Sequence, residues 1–173
     1  MMTSDPEKWP LRYPSDLSDE ECEVLRPIFD ELEPYKTGRP RTYDLREILN
    51  AIFYLNKTGC PWRYLPKDFL SYHIVNYYYN KWTDNLMLEQ VNTALRQRLR
   101  KKDRAPHPTG AIIDSQSVKG TQESSEESGF DGGKLVKGRK RHIVVDTMGC
   151  LIVVWVHAAN IFDGKAAYQV ITK

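Results

Sequence analysis

The carboxylate of Asp114 stands at the polar end of a short apolar run, Ala111-Ile112-Ile113, and Ser115-Gln116-Ser117-Val118-Lys119 follows it. An aspartate so placed, with a lysine close behind, is how a metal-dependent phosphoryl-transfer site can begin. The hard oxygens bind a divalent cation, and the lysine lowers the repulsion met by a phosphate. A strand-end aspartate bonded to its own turn would look the same, so the residue types alone leave both readings open. Downstream lies a basic run, Lys137-Gly138-Arg139-Lys140-Arg141-His142, that leads into Ile143-Val144-Val145-Asp146. With Lys119, the cations Lys137, Arg139, Lys140 and Arg141 are expected to contact phosphates, which gives affinity and salt sensitivity but little sequence choice.

Other residues of the right chemical type have ordinary explanations. Asp146 precedes Thr147-Met148-Gly149, where a turn aspartate is expected, and Asp163 precedes a helical stretch that it can cap. His107, His142 and His157 do not form a convincing metal set, because His142 is flanked by cations that compete with a metal. Cys22, Cys60 and Cys150 are odd in number and widely separated, which gives neither a disulfide framework nor ligand spacing. They are expected to be reduced core residues.

The elements that must position these side chains change character along the chain. Ser18-Asp19-Glu20-Glu21 is a capping-box pattern, and Cys22, Leu25, Phe29 and Leu32 follow at helical spacing, with Pro27 expected to kink the helix or end it early. Between Glu33 and Thr42, Gly38-Arg39-Pro40-Arg41 opposes helix and leaves Arg39 and Arg41 extended and exposed. Leu45, Ile48, Leu49, Ile52 and Leu55 mark a second helix, stopped by Gly59 and Pro61. A third carries Tyr72, Val75, Tyr79 and Trp82 on one face, with Tyr78 off that stripe and able to lie on a base or sugar; a fourth begins near Met87 and dissolves into basic residues. Such helix pairs suit a helix-turn-helix DNA reader and equally a compact bundle. After Pro106-His107-Pro108-Thr109-Gly110 the period becomes that of strands: one strand ending at Asp114, a hairpin through Thr147-Met148-Gly149, and a final helix through Ala166, Val170 and Ile171. Gly120 to Gly133, rich in serine, glutamate and glycine, is expected to be a loop that orders on a polyanion or not at all.

Length and charge set the limits. A chain of 173 residues with 40% apolar and 28% charged side chains suits one or two globular domains, with no signal peptide and no membrane span, so a cytoplasmic protein is expected. The formal net charge of +2 hides an asymmetry. Residues 1–33 hold ten acidic and three basic side chains, whereas residues 96–173 hold fourteen basic and eight acidic ones. The second half is therefore the half that attracts polyanions, although a charge run is often only a solvated face.

The segment from Asp114 to Lys119, together with the basic hairpin, resembles the DDE transposases of bacterial insertion sequences, in the subgroup whose catalytic domain opens with Asp-Ser-Gln-Ser-Val-Lys. Leu17-Ser18-Asp19-Glu20, Gly38-Arg39-Pro40-Arg41 and Thr58-Gly59-Cys60-Pro61-Trp62-Arg63-Tyr64-Leu65-Pro66 look like the helical N-terminal domain of the same enzymes. The resemblance implies an α+β chain. Residues 11–104 would form an all-α, helix-turn-helix-like DNA-binding domain, 105–110 a linker, and 111–173 the opening β-β-β-α part of an RNase H-like catalytic domain.

By resemblance Asp114 is the first of three carboxylates that hold two Mg²⁺ or Mn²⁺ ions roughly 4 Å apart for in-line attack on phosphorus. One aspartate cannot hold both ions, so the catalytic domain is expected to be incomplete in this chain and to be completed by the rest of the transposase or by a homo-oligomer on DNA. The expected partners are double-stranded DNA, as terminal inverted repeats and as target. A non-catalytic repressor or remnant that occupies the element's ends is the alternative, and a nuclease acting on unrelated nucleic acid a third reading.

Overall fold

The structure, a computed structural model, describes residues 11–33, 41–101, 105, 107–120 and 128–171. Gly38-Arg39-Pro40, most of the serine- and glutamate-rich segment, and the side chains of Val170 and Ile171 lie outside them. The chain is α+β and divides into two compact units, residues 1–91 and 92–173. Among the described residues no helix is long and apolar enough to cross a membrane.

The first unit is helical. Helix α1, Asp19–Leu32, starts where the capping box places it: the Ser18 hydroxyl accepts from the Glu21 amide, and the Glu21 carboxylate accepts from the Ser18 amide. Contrary to the expectation of an early end, α1 runs straight through Pro27. The carbonyl that Pro27 leaves without a donor belongs to Glu23, and both residues are exposed, on the side of the helix where losing one backbone bond costs least. Helix α2, Leu45–Thr58, is capped by Asp44, and Gly59 ends it at φ +67°, a conformation that costs glycine little. A single 3₁₀ turn, Trp62–Tyr64, leads to α3, Tyr72–Asp84, and then to α4, Met87–Arg100, whose last turns belong to the second unit.

Phe29 and Trp82 meet at a ring separation of 5.0 Å in the middle of this unit, among the buried Leu45, Ile48, Ile52 and Val75. Two buried polar residues close its entry. The Asn50 Oδ1 accepts from the Leu17 amide at 2.9 Å, and Arg46 donates to the Leu17 carbonyl and to Asp19. Tyr78, expected to be off the core stripe, is instead buried against Trp82, and its neighbour Tyr77 is the one left outside. Of the cysteines only Cys22 is a core residue; Cys60 and Cys150 are half-buried thiols.

The second unit is a sheet with one helix. Its strands are β1 (Ala111–Lys119), β2 (Gly129–Asp131), β3 (Val136–Asp146) and β4 (Leu151–Ala158), followed by α5 (Asp163–Ile171). All pairing is antiparallel and runs through β3, which holds β1 along one edge and β4 and β2 along the other. Strand β2 falls in the segment expected to be only loop: Gly129, Phe130 and Asp131 pair with Gly138, Lys137 and Val136. On the other edge of β3, Gly138 allows the close approach of β1, since a Cβ there would lie 2.0 Å from the Val118 carbonyl oxygen. The sequence shows no apolar period in β2 because two of its three residues carry no apolar side chain.

Candidate functional site

Strand alternation sorts the candidate residues of the second unit. Cross-strand partners share a face, so Asp114 opposite Ile143 places Ile112, Asp114, Gln116 and Val118 of β1 beside Lys137, Arg139, Arg141, Ile143 and Val145 of β3. Val154 and Val156 of β4 and Phe130 of β2 complete the same face. This face is open: Ile112, Val118, Phe130, Val154 and Val156 are all exposed, as are Asp114, Lys137, Arg139 and Arg141. The Asp114 carboxylate accepts from the adjacent Ser115 amide at 2.8 Å and makes no ion pair among the described residues. One step along β3, Arg141 is steadied by the Gln116 side-chain carbonyl, with its Nε at 2.9 Å. Asp114 therefore sits on a solvent-facing sheet surface next to a fixed guanidinium and a column of two further cations.

The opposite face is consumed by structure. Lys140, expected at a phosphate, is 4% exposed. Its Nζ bridges Asp163 at 2.8 Å and Asp131 at 3.1 Å and donates to the Ile161 carbonyl. Its neighbours Arg139 and Arg141 point the other way because alternate strand residues must. Ser117 donates to Asp131 at 2.6 Å, and Ser115 donates to Asp163 at 3.1 Å. Asp163 is thereby joined to the sheet through side chains of β1 and β3. The Ser117 hydroxyl, with the amides of Lys134 and Gly133 and the Lys140 ammonium, holds Asp131 far below the usual carboxylate range. Asp163 is held low first by Lys140 and then by Ser115. Burial pulls the Lys140 ammonium down, but Asp163 and Asp131 outweigh it and raise its pKa. Beside them His142, 1% exposed, stacks on His157 at 5.0 Å between rings; burial first, and then the His157 ring, keep its pKa below the usual histidine value.

The remaining expected contacts divide as follows. Lys119 is exposed but lies on the Lys140 face at the end of β1, opposite Gly138. Arg41 is committed to α1, pairing with Glu33 at 3.5 Å and Asp30 at 3.9 Å with its side chain only 10% exposed. Arg39 lies outside the described residues. In the basic end of α4, Arg100 is not a free cation: it pairs with the fully buried Asp146 at 2.7 Å. Asp146 also accepts from the amides of Met148 and Cys150 at 2.8 and 2.9 Å, which is the turn role its sequence context suggests. Burial raises the Asp146 pKa, but the Cys150 amide and Arg100 more than offset it and leave it low.

Sequence reasoning missed the inward turn of Lys140 and its partner Asp131. The signal was present, since a strand through Lys137–Arg141 puts every second residue on the same side.

Two family models match the chain. The model described as a transposase of the IS4/5 family matches residues 17–92, and the transposase DDE domain model matches residues 105–173. The chain belongs to the DDE transposases of bacterial insertion sequences. No curated protein and no solved structure matches it.

The second match makes this unit a transposase-type catalytic domain, and its sheet followed by α5 is consistent with part of an RNase H-like unit. DDE transposase domains use divalent metal ions. Among the described residues, however, no three His, Cys, Asp or Glu side chains come together to hold one. Asp131, Asp146 and Asp163 are each engaged by a cation, and Asp114 stands apart from them on the open face. The described residues alone do not fit a two-metal site, and no step through such ions is assigned to them.

Proposed function

We propose that this transposase binds the terminal inverted repeats of its element and contributes Asp114 as the first carboxylate of the strand-cleavage and transfer site. The observation that carries this reading is the contrast among the four described aspartates of the sheet unit. Three are paired with Arg100 or Lys140, whereas Asp114 keeps an unpaired, solvent-facing carboxylate among the described residues. A buried or paired carboxylate cannot be spent on an incoming metal without exposing its cation, and Asp114 carries no such cost. In the completed site the ions would be Mg²⁺ or Mn²⁺, and the other carboxylates would come from the rest of the transposase or from a second copy on DNA. Lys137, Arg139 and Arg141 run along the same face and would follow the phosphate backbone toward Asp114.

The test is transposition of a marked element in cells together with binding of an end duplex in vitro. Asp114→Asn should abolish joining and leave end binding unchanged. A non-catalytic repressor would bind the ends and support no joining even before substitution.

A further inference from the structure

We propose that α3 is the element that reads base edges, with His73, Asn76, Tyr77 and Asn80 facing the major groove of the element's ends. This rests on the proposed function, in that the helical unit binds those ends.

The outward faces of the helices differ in kind. Helix α1 shows Glu20, Glu21, Glu23, Asp30 and Glu31 to solvent around a single Arg26, a face that phosphates repel. Helix α3 buries Val75, Tyr78 and Trp82, which turns His73, Tyr77 and Asn80 outward at helical spacing, with Asn76 half-buried beside them. Over its first two turns this row carries no acidic residue; Asp84 ends it at the far, C-terminal end. Tyr77 is 61% exposed although its neighbours Tyr78 and Tyr79 are packed, so a large aromatic ring is held out in water.

The chemistry of the row suits bases better than phosphates. The Asn80 Nδ2 donates to the Asn76 Oδ1 at 3.0 Å. That bond uses one N–H of the exposed Asn80 and leaves its second N–H and its Oδ1 for a bidentate contact. A paired donor and acceptor on asparagine matches the N7 and N6 edge of adenine. Tyr77 offers an apolar ring for a thymine methyl. Phosphate contacts would come from the flank: Arg63 and Lys67, both exposed, lie in the 3₁₀ turn and the segment that lead directly into the α3 N-terminus. Base contacts from the first turns of a helix, with backbone contacts from the chain that precedes it, are how a helix docks in the major groove.

The test uses the full chain and a randomised duplex pool to define its preferred sequence, followed by titration of that duplex and a scrambled one across a salt series. Asn80→Ala is a surface change and Asn76→Ala a half-buried one, and circular dichroism checks that the helices remain. Each should lower the preference for the selected duplex between about 5-fold and 100-fold or shift the selected base. Arg63→Gln and Lys67→Gln should weaken both duplexes alike and flatten the salt slope by about 1 each. An unchanged preference in the asparagine variants, with the wild-type chain still selective, overturns the assignment to α3 and leaves end binding standing. A wild-type chain with no sequence preference overturns end binding as well.

Discussion

The two units bury opposite kinds of residue. Among the described residues, the helical unit closes over Phe29, Leu45, Ile48, Val75, Trp82 and their apolar neighbours, with Arg46 and Asn50 as its buried polar exceptions. In the sheet unit the proportion reverses: its buried apolar residues are Val144, Ala159 and Ala166, against Arg100, Asp131, Lys140, His142, Asp146 and His157. One unit is held by apolar area removed from water, the other by hydrogen-bonded charge. The difference fits their proposed tasks. A DNA reader needs a rigid core and can spend its outer residues on recognition. A sheet that must offer one open face to metal and phosphate has only its other face with which to bind itself together.

Breaking the apolar side of this comparison should have the largest effect. Trp82→Ala removes the ring that packs on Phe29 and Tyr78 and should cost about 3–5 kcal/mol, enough to unfold most of a marginal helical unit. Urea denaturation followed by helical circular dichroism measures it. A loss under about 1 kcal/mol would mean that the helices close without that ring. In the sheet unit, Asp146→Asn leaves Arg100 buried without its counter-charge and should cost on the order of 3 kcal/mol. The double change Arg100→Met with Asp146→Asn should recover most of it, because no uncompensated charge remains and the Asn oxygen can still accept from Met148 and Cys150. If the double variant is no more stable than the single one, the pair is not what holds that corner.

Much of the helical unit was legible because its pattern is local. The capping box at Ser18, the stripe from Leu45 to Leu55 and the glycine stop at Gly59 lie within one element each; α1 starts, and α2 starts and ends, where those signals put them, although α1 continues past Pro27. Burial of polar side chains was not legible, since it depends on partners far away in sequence: Asn50 serves Leu17, and Arg100 serves Asp146. Tyr78 was misplaced because the stripe can pass from Val75 to Trp82 through Tyr79 or through Tyr78 at equally helical spacing, and the core takes Tyr78. Asp114 is singled out in the sequence only through the motif around it. What the sequence lacked was the knowledge that every other aspartate of the sheet already has a cation.

The smallest effect sharpens the comparison by pH. In the folded sheet unit His142 is kept neutral by burial, by the His157 ring stacked on it and by Lys140 and Lys134, with Asp163 acting in the opposite direction. In the unfolded chain it takes up a proton near its ordinary value, about 6.5. The unfolded state therefore binds more protons below that pH, so stability is full above it and declines as pH falls through about 6 and 5. Asp131, Asp146 and Asp163 are held low, so their contribution persists until pH falls below about 4, and the raised Lys140 titrates only in strong alkali. Between about pH 4.5 and 6.5 the histidine slope thus stands alone among these groups. In the helical unit the one histidine of the sequence is the exposed His73. Methyl NMR of Val144 and Ile48 during urea titration at pH 7.5 and pH 5 separates the two. The Val144 midpoint should fall at the lower pH, the Ile48 midpoint should not, and His142→Gln should remove the fall. Equal midpoints for Val144 at both pH values in the unmodified chain would mean that the histidine is accommodated charged, as a second cation beside Lys140 against Asp131 and Asp163.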